Sequence, residues 1–214
     1  MCWSATADLT AGTVVTAVGL VCVVLAARAR RARDLPVAVL PLLLGAHQLM
    51  EAAAWNSGGG CSPAATAWAV IALPLPAVWV PVGVLCAAAP AVRRRLWAPV
   101  AVGLATGAVL SYALATRPVT AELRGRTVGY GVDVPYAPLV VAGYLFATLG
   151  ALLLAGDRRL RLLGAVMAAG AVLCAALWRL EFASTWCAFA AVASLLILGW
   201  AGRPEAAGSV TRPA

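Results

Sequence analysis

Residues 9–27 read LTAGTVVTAVGLVCVVLAA, a run without a charged residue, and residues 28–33 read RARRAR. A helix that crosses a bilayer needs about 20 mostly apolar residues, so the first stretch is long enough to span one. Arginines directly after such a run are typical of the cytoplasmic end of a span. We take this pair of stretches as decisive for the fold class, because the same arrangement recurs along the chain.

Composition points to the same environment. The chain has 214 residues, of which 63% are hydrophobic and 11% are charged, whereas a soluble domain has about 45–50% apolar and about 25% charged residues. A net charge of +8 would also suit a nucleic-acid partner. All sixteen basic residues are arginines, however, and they stand in short clusters between apolar runs. The composition therefore predicts the lipid bilayer as partner and excludes nucleic acid.

Apolar runs of spanning length predict an all-α integral membrane protein with seven transmembrane helices. The predicted spans are Leu9–Ala27, Leu35–Trp55, Ala65–Ala88, Leu96–Thr116, Ala137–Gly156, Leu160–Phe182 and Trp186–Trp200. We expect residues 1–201 to form a single domain and residues 202–214 to form a flexible cytoplasmic tail. No cleavable signal peptide is evident before the first span, because residues 1–8 carry no basic segment.

The arginine clusters predict the orientation. Clusters follow the first, third, fifth and seventh spans, so the ends that share one side carry twelve arginines and the other ends carry four. Positively charged loops stay in the cytoplasm, which places the N-terminus outside and the C-terminus in the cytoplasm. An even number of spans would put clusters on opposite faces, so the charge pattern supports seven spans independently of hydrophobicity.

Two segments are expected to depart from straight helices. Pro74, Pro76 and Pro81 each remove a backbone donor from the third span and should kink it. In the outer loop between the fourth and fifth spans, Arg124-Gly125 lies between residues 119–123 and 126–130, two short runs that favour strands. This pattern predicts a short β-hairpin over the helix ends.

Few ionisable residues fall within the predicted spans, and each is costly in lipid. His47, Glu51 and Trp55 share one face of the second span, while Arg179 lies near the outer end of the sixth. Glu51 and Arg179 lie at similar depth, so they are able to pair. Two interpretations are open: the pair fixes helix packing, or it marks a site. For the second, the expected pocket residues are Cys2, Ser4, Gln48, Glu51, Trp55, Arg179 and Cys187.

The cysteines add two hypotheses about the outer face. Cys2, Cys61 and Cys187 all fall there, where an oxidising environment permits one disulfide among them, and the sequence does not say which pair forms. A sharper hypothesis is a divalent metal site made of Cys2, His47, Glu51 and Cys187, since thiolate, imidazole and carboxylate are ligands of zinc.

Missing residue types exclude several familiar functions. The chain has no lysine, so a retinal Schiff base is chemically excluded despite the seven predicted helices. It has one histidine, so neither a bis-histidine haem nor a three-histidine membrane hydrolase can be built within the chain. There is no His-Glu-x-x-His, no Cys-x-x-Cys and no phosphate-binding glycine loop.

Three motifs resemble a bacterial family of multi-spanning membrane proteins that is catalogued as a domain of unknown function. They are MCWSATA at residues 1–7, Gln48-x-x-Glu51 followed by Trp55, and WCAFA at residues 186–190. Members of that family commonly carry phenylalanine at position 3, glutamine at position 47 and glycine at position 52, where this chain has Trp3, His47 and Ala52. The resemblance implies a multi-pass protein of the bacterial cytoplasmic membrane, and it names no activity. Because His47 departs from the pattern, a metal site that depends on His47 would be particular to this chain.

Function remains a choice between classes. The leading hypothesis is an uncharacterised multi-pass membrane protein with a polar pocket near its extracytoplasmic face, which binds a small ligand or ion. The alternatives are a membrane-embedded enzyme that uses a thiol or a metal, a small-solute transporter, and an accessory subunit that binds a partner protein. The sequence does not decide whether the chain is an enzyme.

Overall fold

The computed structural model describes residues 4–125, 127–177 and 182–203, with side chains given for all of these except 124, 127, 176, 177 and 182–188. Helices dominate this part of the chain. The α-helices are α1 (Ala5–Arg28), α2 (Leu35–Ala38), α3 (Leu40–Asn56), α4 (Pro63–Ala72), α5 (Pro74–Ala87), α6 (Pro90–Thr116), α7 (Ala137–Leu145), α8 (Ala151–Leu153), α9 (Arg158–Leu177) and α10 (Phe182–Ala201). A 3₁₀ turn (Ala32–Asp34) precedes α2, a π-helical segment (Phe146–Gly150) joins α7 to α8, and β1 (Thr120–Arg124) pairs with β2 (Thr127–Gly131).

The fold is all-α and membrane-like apart from the hairpin. Within the described residues, four helical segments are long and apolar enough to cross a membrane: Ala5–Arg28, Ala32–Asn56, Pro63–Ala87 and Pro90–Thr116. Two shorter apolar helices, Ala137–Leu153 and Phe189–Ala201, accompany them. Large apolar side chains such as Val14, Leu104 and Val172 are exposed on the outside of the bundle. A surface of this kind suits lipid better than water.

Capping residues set where several helices begin. The hydroxyl of Ser4 accepts the backbone N–H of Ala7 at 3.2 Å and opens α1. The hydroxyl of Ser62 accepts the N–H of Ala65 at 3.1 Å, with Pro63 in the first turn of α4. Oδ1 of Asp157 accepts the N–H of Arg159 at 2.7 Å at the start of α9. Each cap satisfies a donor that the first turn of a helix leaves unpaired.

Proline interrupts the helices where the sequence predicts it and in one further place. The predicted kink in the third span is a break at Leu73, between α4 and α5, directly before Pro74. The second predicted span is also broken, at Val39, because Pro41 offers no N–H. The π-helical segment was not predicted, since nothing in its apolar sequence distinguishes it from an α-helix.

Small residues let α1 and α3 pack closely in an antiparallel pair. A Cβ added at Gly12 would lie 2.9 Å from Cγ of Leu49, and one at Gly19 would lie 2.7 Å from the backbone nitrogen of Leu42. Gly45 lies equally close to Thr16 of α1. These contacts fix the register of the two helices, because no side chain could be inserted at the three glycines without moving a helix.

One end of the bundle, called here the hairpin end, comprises residues 56–62 and 116–136. The predicted hairpin is confirmed, but each strand lies one residue further along than expected. The reason is Gly125, whose φ of +62° suits the first position of a two-residue turn, so the turn follows Arg124. Gly60 extends the hairpin by exchanging two backbone hydrogen bonds with Ala121, at 2.7 and 3.0 Å.

The opposite end, called here the arginine end, comprises residues 28–34, 88–95, 154–161 and 199–203. Nη2 of Arg203 donates to Oδ2 of Asp34 at 2.7 Å, and the same guanidinium lies 4.1 Å from the ring centroid of Trp200. Trp200 in turn donates to Asp157 at 3.2 Å. Arg31 donates to the carbonyl of Ala201. These contacts join the end of α10 to the start of α2 and the start of α9.

Candidate functional site

The predicted pocket residues divide into those that the structure describes and those that it does not. Cys2 and Arg179 lie outside the described residues, and the side chain of Cys187, in α10, is also outside them. Described side chains are those of Ser4, Gln48, Glu51 and Trp55. The pocket as a whole therefore stays a prediction, and its described half can be located.

Ser4 and Trp55 have local roles. Ser4 is exposed and caps α1. The ring of Trp55 packs against a cluster of apolar residues that joins α4 to the hairpin and includes Ala65, Trp68 and Val128. Helix capping and packing account for both positions.

Gln48 and Glu51 are different, because they lie in the interior. Gln48 is 1% exposed and Glu51 is 0% exposed. Gln48 lies on the face of α3 that contacts α1. A Cβ added at Gly12 of α1 would lie 3.1 Å from the Cβ of Gln48. Glu51 follows one turn closer to the hairpin end. An amide and a carboxylate with no exposed surface are the described part of the predicted pocket.

A third buried polar residue, Asp8, was missed in the sequence. Asp8 lies in α1 and is 0% exposed. The register of α1 against α3, continued one turn beyond Gly12, places Asp8 level with the turn of α3 that includes Glu51. Asp8 lies directly before the first predicted span, which begins at Leu9. Its spacing was the available signal, since Asp8, Gly12 and Gly19 fall on one face of a helix.

Asp8 and Glu51 are fully buried carboxylates on adjoining helices, so a negative charge on either one has to be compensated. A carboxylate in low dielectric needs a counter-charge, several hydrogen bonds or a proton. The pairing of Glu51 with Arg179 would meet this requirement in part, and it stays a prediction because Arg179 is outside the described residues. In a membrane such residues are by default a site hypothesis.

The structure removes one cysteine from the possible disulfides and leaves the proposed metal ligands as a prediction. In the part of the chain that the structure describes, no group of three histidine, cysteine or acidic side chains is arranged to hold a metal ion. The set of Cys2, His47, Glu51 and Cys187 stays a prediction, since two of its members lie outside the described side chains. Cys61 is exposed and forms no disulfide. Of the three predicted pairings, only Cys2 with Cys187 is still open.

A cavity of about 160 Å³, partly open to its surroundings, lies between α3, α4, α5, the α7–α8 segment, α9 and α10, and is called here the central cavity. Most of its wall is aliphatic, with Leu44, Ile71, Val80, Leu163 and Ile197 among the lining residues. Of the predicted residues whose side chains are described, His47 alone lines it. The space is thus more apolar than the predicted pocket, and it begins one helical turn from Glu51.

Among the described side chains, three polar ones line this cavity: His47, Tyr144 and Thr148. Tyr144 and Thr148 lie on either side of the start of the π-helical segment, a type of helix irregularity that is frequent at functional sites. The Tyr144 hydroxyl donates to the carbonyl of Ala72 at 2.9 Å. Sequence reasoning missed Tyr144 and Thr148 because neither carries a charge or belongs to a motif.

An aromatic path connects the cavity to the hairpin end. The ring of His47 lies 5.0 Å from the ring of Trp68, measured between centroids. Trp68 stacks on Tyr130 of β2 with a centroid distance of 3.5 Å and an interplanar angle of 5°. A continuous series of ring contacts therefore joins one cavity wall to the hairpin.

Comparison with known proteins identifies the family of the chain. A model of a family of unknown function, DUF6629, matches residues 1–212. The chain belongs to DUF6629. The DUF6629 match covers nearly the whole chain, so it includes the hairpin, the buried polar residues and the cavity together. No curated protein and no solved structure matches the chain.

Membership of DUF6629 bears out the resemblance to a family of unknown function that the sequence motifs indicated. The bacterial origin and the positions of those motifs stay predictions. The family description assigns no reaction or ligand, so the function has to be argued from the geometry.

Proposed function

We propose that the chain crosses a bacterial cytoplasmic membrane seven times, with the arginine end in the cytoplasm and the hairpin end outside. The distribution of charge supports this proposal. The arginines at the arginine end are Arg28, Arg30, Arg31, Arg33, Arg93, Arg94, Arg95, Arg158, Arg159, Arg161 and Arg203. Cytoplasmic loops are enriched in basic residues, and this end holds most of the arginines within the described residues.

Cys61 is a natural reporter of this orientation, because it is an exposed thiol at the hairpin end. A membrane-impermeant maleimide added to intact cells is expected to label the protein, and the label should fall on exchange of Cys61 for serine. Cysteine introduced at Ala32, exposed at the arginine end, should react only after the membrane is permeabilised. Labelling of position 32 in intact cells, with Cys61 protected, would overturn the orientation.

We further propose that the protein binds a small, largely apolar molecule in the central cavity. The single observation that carries this proposal is the cavity itself: an aliphatic chamber with polar groups, His47, Tyr144 and Thr148, on its wall. Binding sites for small molecules are commonly concave and apolar, with a few polar groups that fix orientation. Between helices of a bundle is one of the places where such sites occur.

The size of the cavity indicates the size of the ligand. An apolar cavity of about 150 Å³ in another protein holds benzene or xenon, and this one measures about 160 Å³. A molecule with a single aromatic ring, or an aliphatic one of similar volume, therefore fits. This proposal keeps the small ligand expected from the sequence and replaces the polar pocket by a mainly apolar one.

Filling the cavity tests the proposal. Ala193 lines the cavity and is buried, so Ala193→Leu adds a side chain to that space. Toluene at 100 times its dissociation constant should stabilise the wild-type protein by about 2.7 kcal/mol, and the variant should lose this stabilisation. The measurement is the thermal unfolding midpoint in lipid nanodiscs, with and without toluene.

The matched control is Ala175→Leu, which enlarges an exposed alanine of α9 away from the cavity. It should respond to toluene as the wild type does. Equal toluene stabilisation of the wild type, Ala175→Leu and Ala193→Leu would mean that toluene acts through the lipid and not through the cavity. That result would contradict the proposed function.

A further inference from the structure

Two hydroxyl groups on the cavity wall, those of Tyr144 and Thr148, both donate to backbone carbonyls. A proline in the third predicted span explains the first of these bonds. In a helix the N–H of residue i donates to the carbonyl of residue i−4, and proline has no N–H to donate. Pro76 therefore offers nothing to the carbonyl of Ala72. The hydroxyl of Tyr144 donates to that carbonyl at 2.9 Å and so replaces the missing donor.

Thr148 lies one turn further along, and its hydroxyl also donates to a backbone carbonyl. Its hydroxyl donates to the backbone carbonyl of Tyr144 at 2.8 Å. A hydroxyl group has one proton to donate and two lone pairs that accept. Since both protons are already used, Tyr144 and Thr148 present acceptor lone pairs alone to a molecule in the cavity.

Both residues lie on the same wall, because both line the cavity and they are four residues apart in the chain. Thr148 is buried, so water does not compete freely for its oxygen. A ligand that brings its own donor would satisfy these oxygens. A ligand that places an acceptor against these two oxygens would face lone pairs and lose the hydrogen bond that it made in water.

We propose that the Tyr144–Thr148 wall of the cavity selects single-ring aromatic or small aliphatic molecules that carry one O–H or N–H donor, of the phenol class, and discriminates against acceptor-only analogues. This inference rests on the proposed function, because it names the chemistry of the ligand for the same cavity. Tyr144 and Thr148 are its specificity-determining residues.

Phenol and anisole are the probes, since anisole keeps the oxygen of phenol and replaces its proton by a methyl group. Affinities are measured by ligand-dependent thermal shift in nanodiscs for the wild type, Thr148→Val and Tyr144→Phe. Thr148→Val preserves shape, and it stays informative if loss of the bond to Ala72 destabilises Tyr144→Phe. One hydrogen bond contributes about 0.5–1.5 kcal/mol net, so the ratio of phenol affinity to anisole affinity should fall about two- to twelvefold in at least one variant.

The possible results distinguish a failure of the donor selectivity from a failure of the proposed binding in the cavity. An unchanged ratio in both variants, with both probes still bound, would overturn the donor selectivity and leave the cavity as a binding site. Absence of binding by every probe to the wild type, toluene included, would overturn both proposals. Equal binding of phenol to Ala193→Leu would place the phenol site elsewhere and would likewise overturn the inference.

Discussion

Replacing Gly45 by valine is expected to force α1 away from α3 and to lower the free energy of unfolding by about 3 kcal/mol, the upper end of the range for overpacked cores. A Cβ at this position would lie 2.8 Å from the backbone nitrogen of Thr16 and 3.0 Å from the carbonyl oxygen of Gly12. These are backbone atoms, so no side-chain rotation relieves the contact. The whole of α1 would have to move.

The same displacement would disturb the buried polar residues. Asp8 in α1 and Gln48 with Glu51 in α3 are held together by the close approach of the two helices. SDS-titrated unfolding of the purified protein measures the loss. The control is Gly199→Val in α10, where an added Cβ meets nothing within 4 Å. If Gly45→Val unfolds at the same SDS concentration as Gly199→Val, the close pairing of α1 with α3 is wrong.

Replacing Arg203 by alanine is expected to give the second large loss of unfolding free energy, about 2 kcal/mol, the lower end of the range measured when one member of a buried charge pair is removed. The lower end applies because Asp34 is buried while the Arg203 side chain is 24% exposed. The guanidinium pairs with Asp34 at 2.7 Å and lies 3.9 Å from Asp157, and it covers the ring of Trp200. Among the described residues, the Asp34 carboxylate would keep the Arg31 guanidinium, at 3.6 Å.

The control for Arg203 is Arg94→Ala, because Arg94 is an exposed arginine at the same end of the bundle. An exposed charge contributes little to stability, so this variant should stay within about 0.5 kcal/mol of the wild type. SDS-titrated unfolding compares the two. Equal losses of unfolding free energy in the two variants would indicate that the stability of the arginine end depends on its total charge and not on the specific contacts of Arg203.

The general fold was predictable because its signals are long and local. Nineteen uncharged residues from Leu9 to Ala27 fit a helix of spanning length, and four such segments are confirmed over the described residues. The hairpin was predictable from Gly125 between two short strand-forming runs. The seven-span count and the orientation rest on the charge pattern and stay proposals.

Details of the helices were less predictable, for physical reasons. The break at Leu73 follows from the prolines that come after it. The π-helical segment Phe146–Gly150 does not follow from its sequence, because it depends on packing against helices that are distant in the chain. The same holds for α1 against α3: the glycines permit close approach, and only the structure shows which helix they meet.

The candidate site was partly predictable. Glu51 and Gln48 stood out because a polar residue in an apolar run is rare, and both are buried. Asp8 was missed because it lies at the edge of the first predicted span. Thr148 was missed because it carries no charge and belongs to no motif. Tyr144 was missed because its role comes from the carbonyl of Ala72, which Pro76 leaves unpaired on another helix. Such a role cannot be recognised before the helices are placed.

The central cavity and the buried carboxylates lie one helical turn apart along α3, with His47 at the cavity and Glu51 beyond it. The ring of His47 also reaches Trp68, and through it Tyr130 of the hairpin. A ligand in the cavity would thus contact a wall that is linked both to the buried polar residues and to the hairpin end.

Xenon tests the central claim most directly, because it binds apolar cavities of this size without any specific chemistry. Crystals of the wild-type protein under xenon pressure should show a xenon atom between His47, Tyr144 and Ala193, and crystals of Ala193→Leu should show none there. Xenon bound only on the lipid-facing surface of the wild type, with the central cavity empty or collapsed, would contradict a ligand-binding chamber in the middle of the bundle.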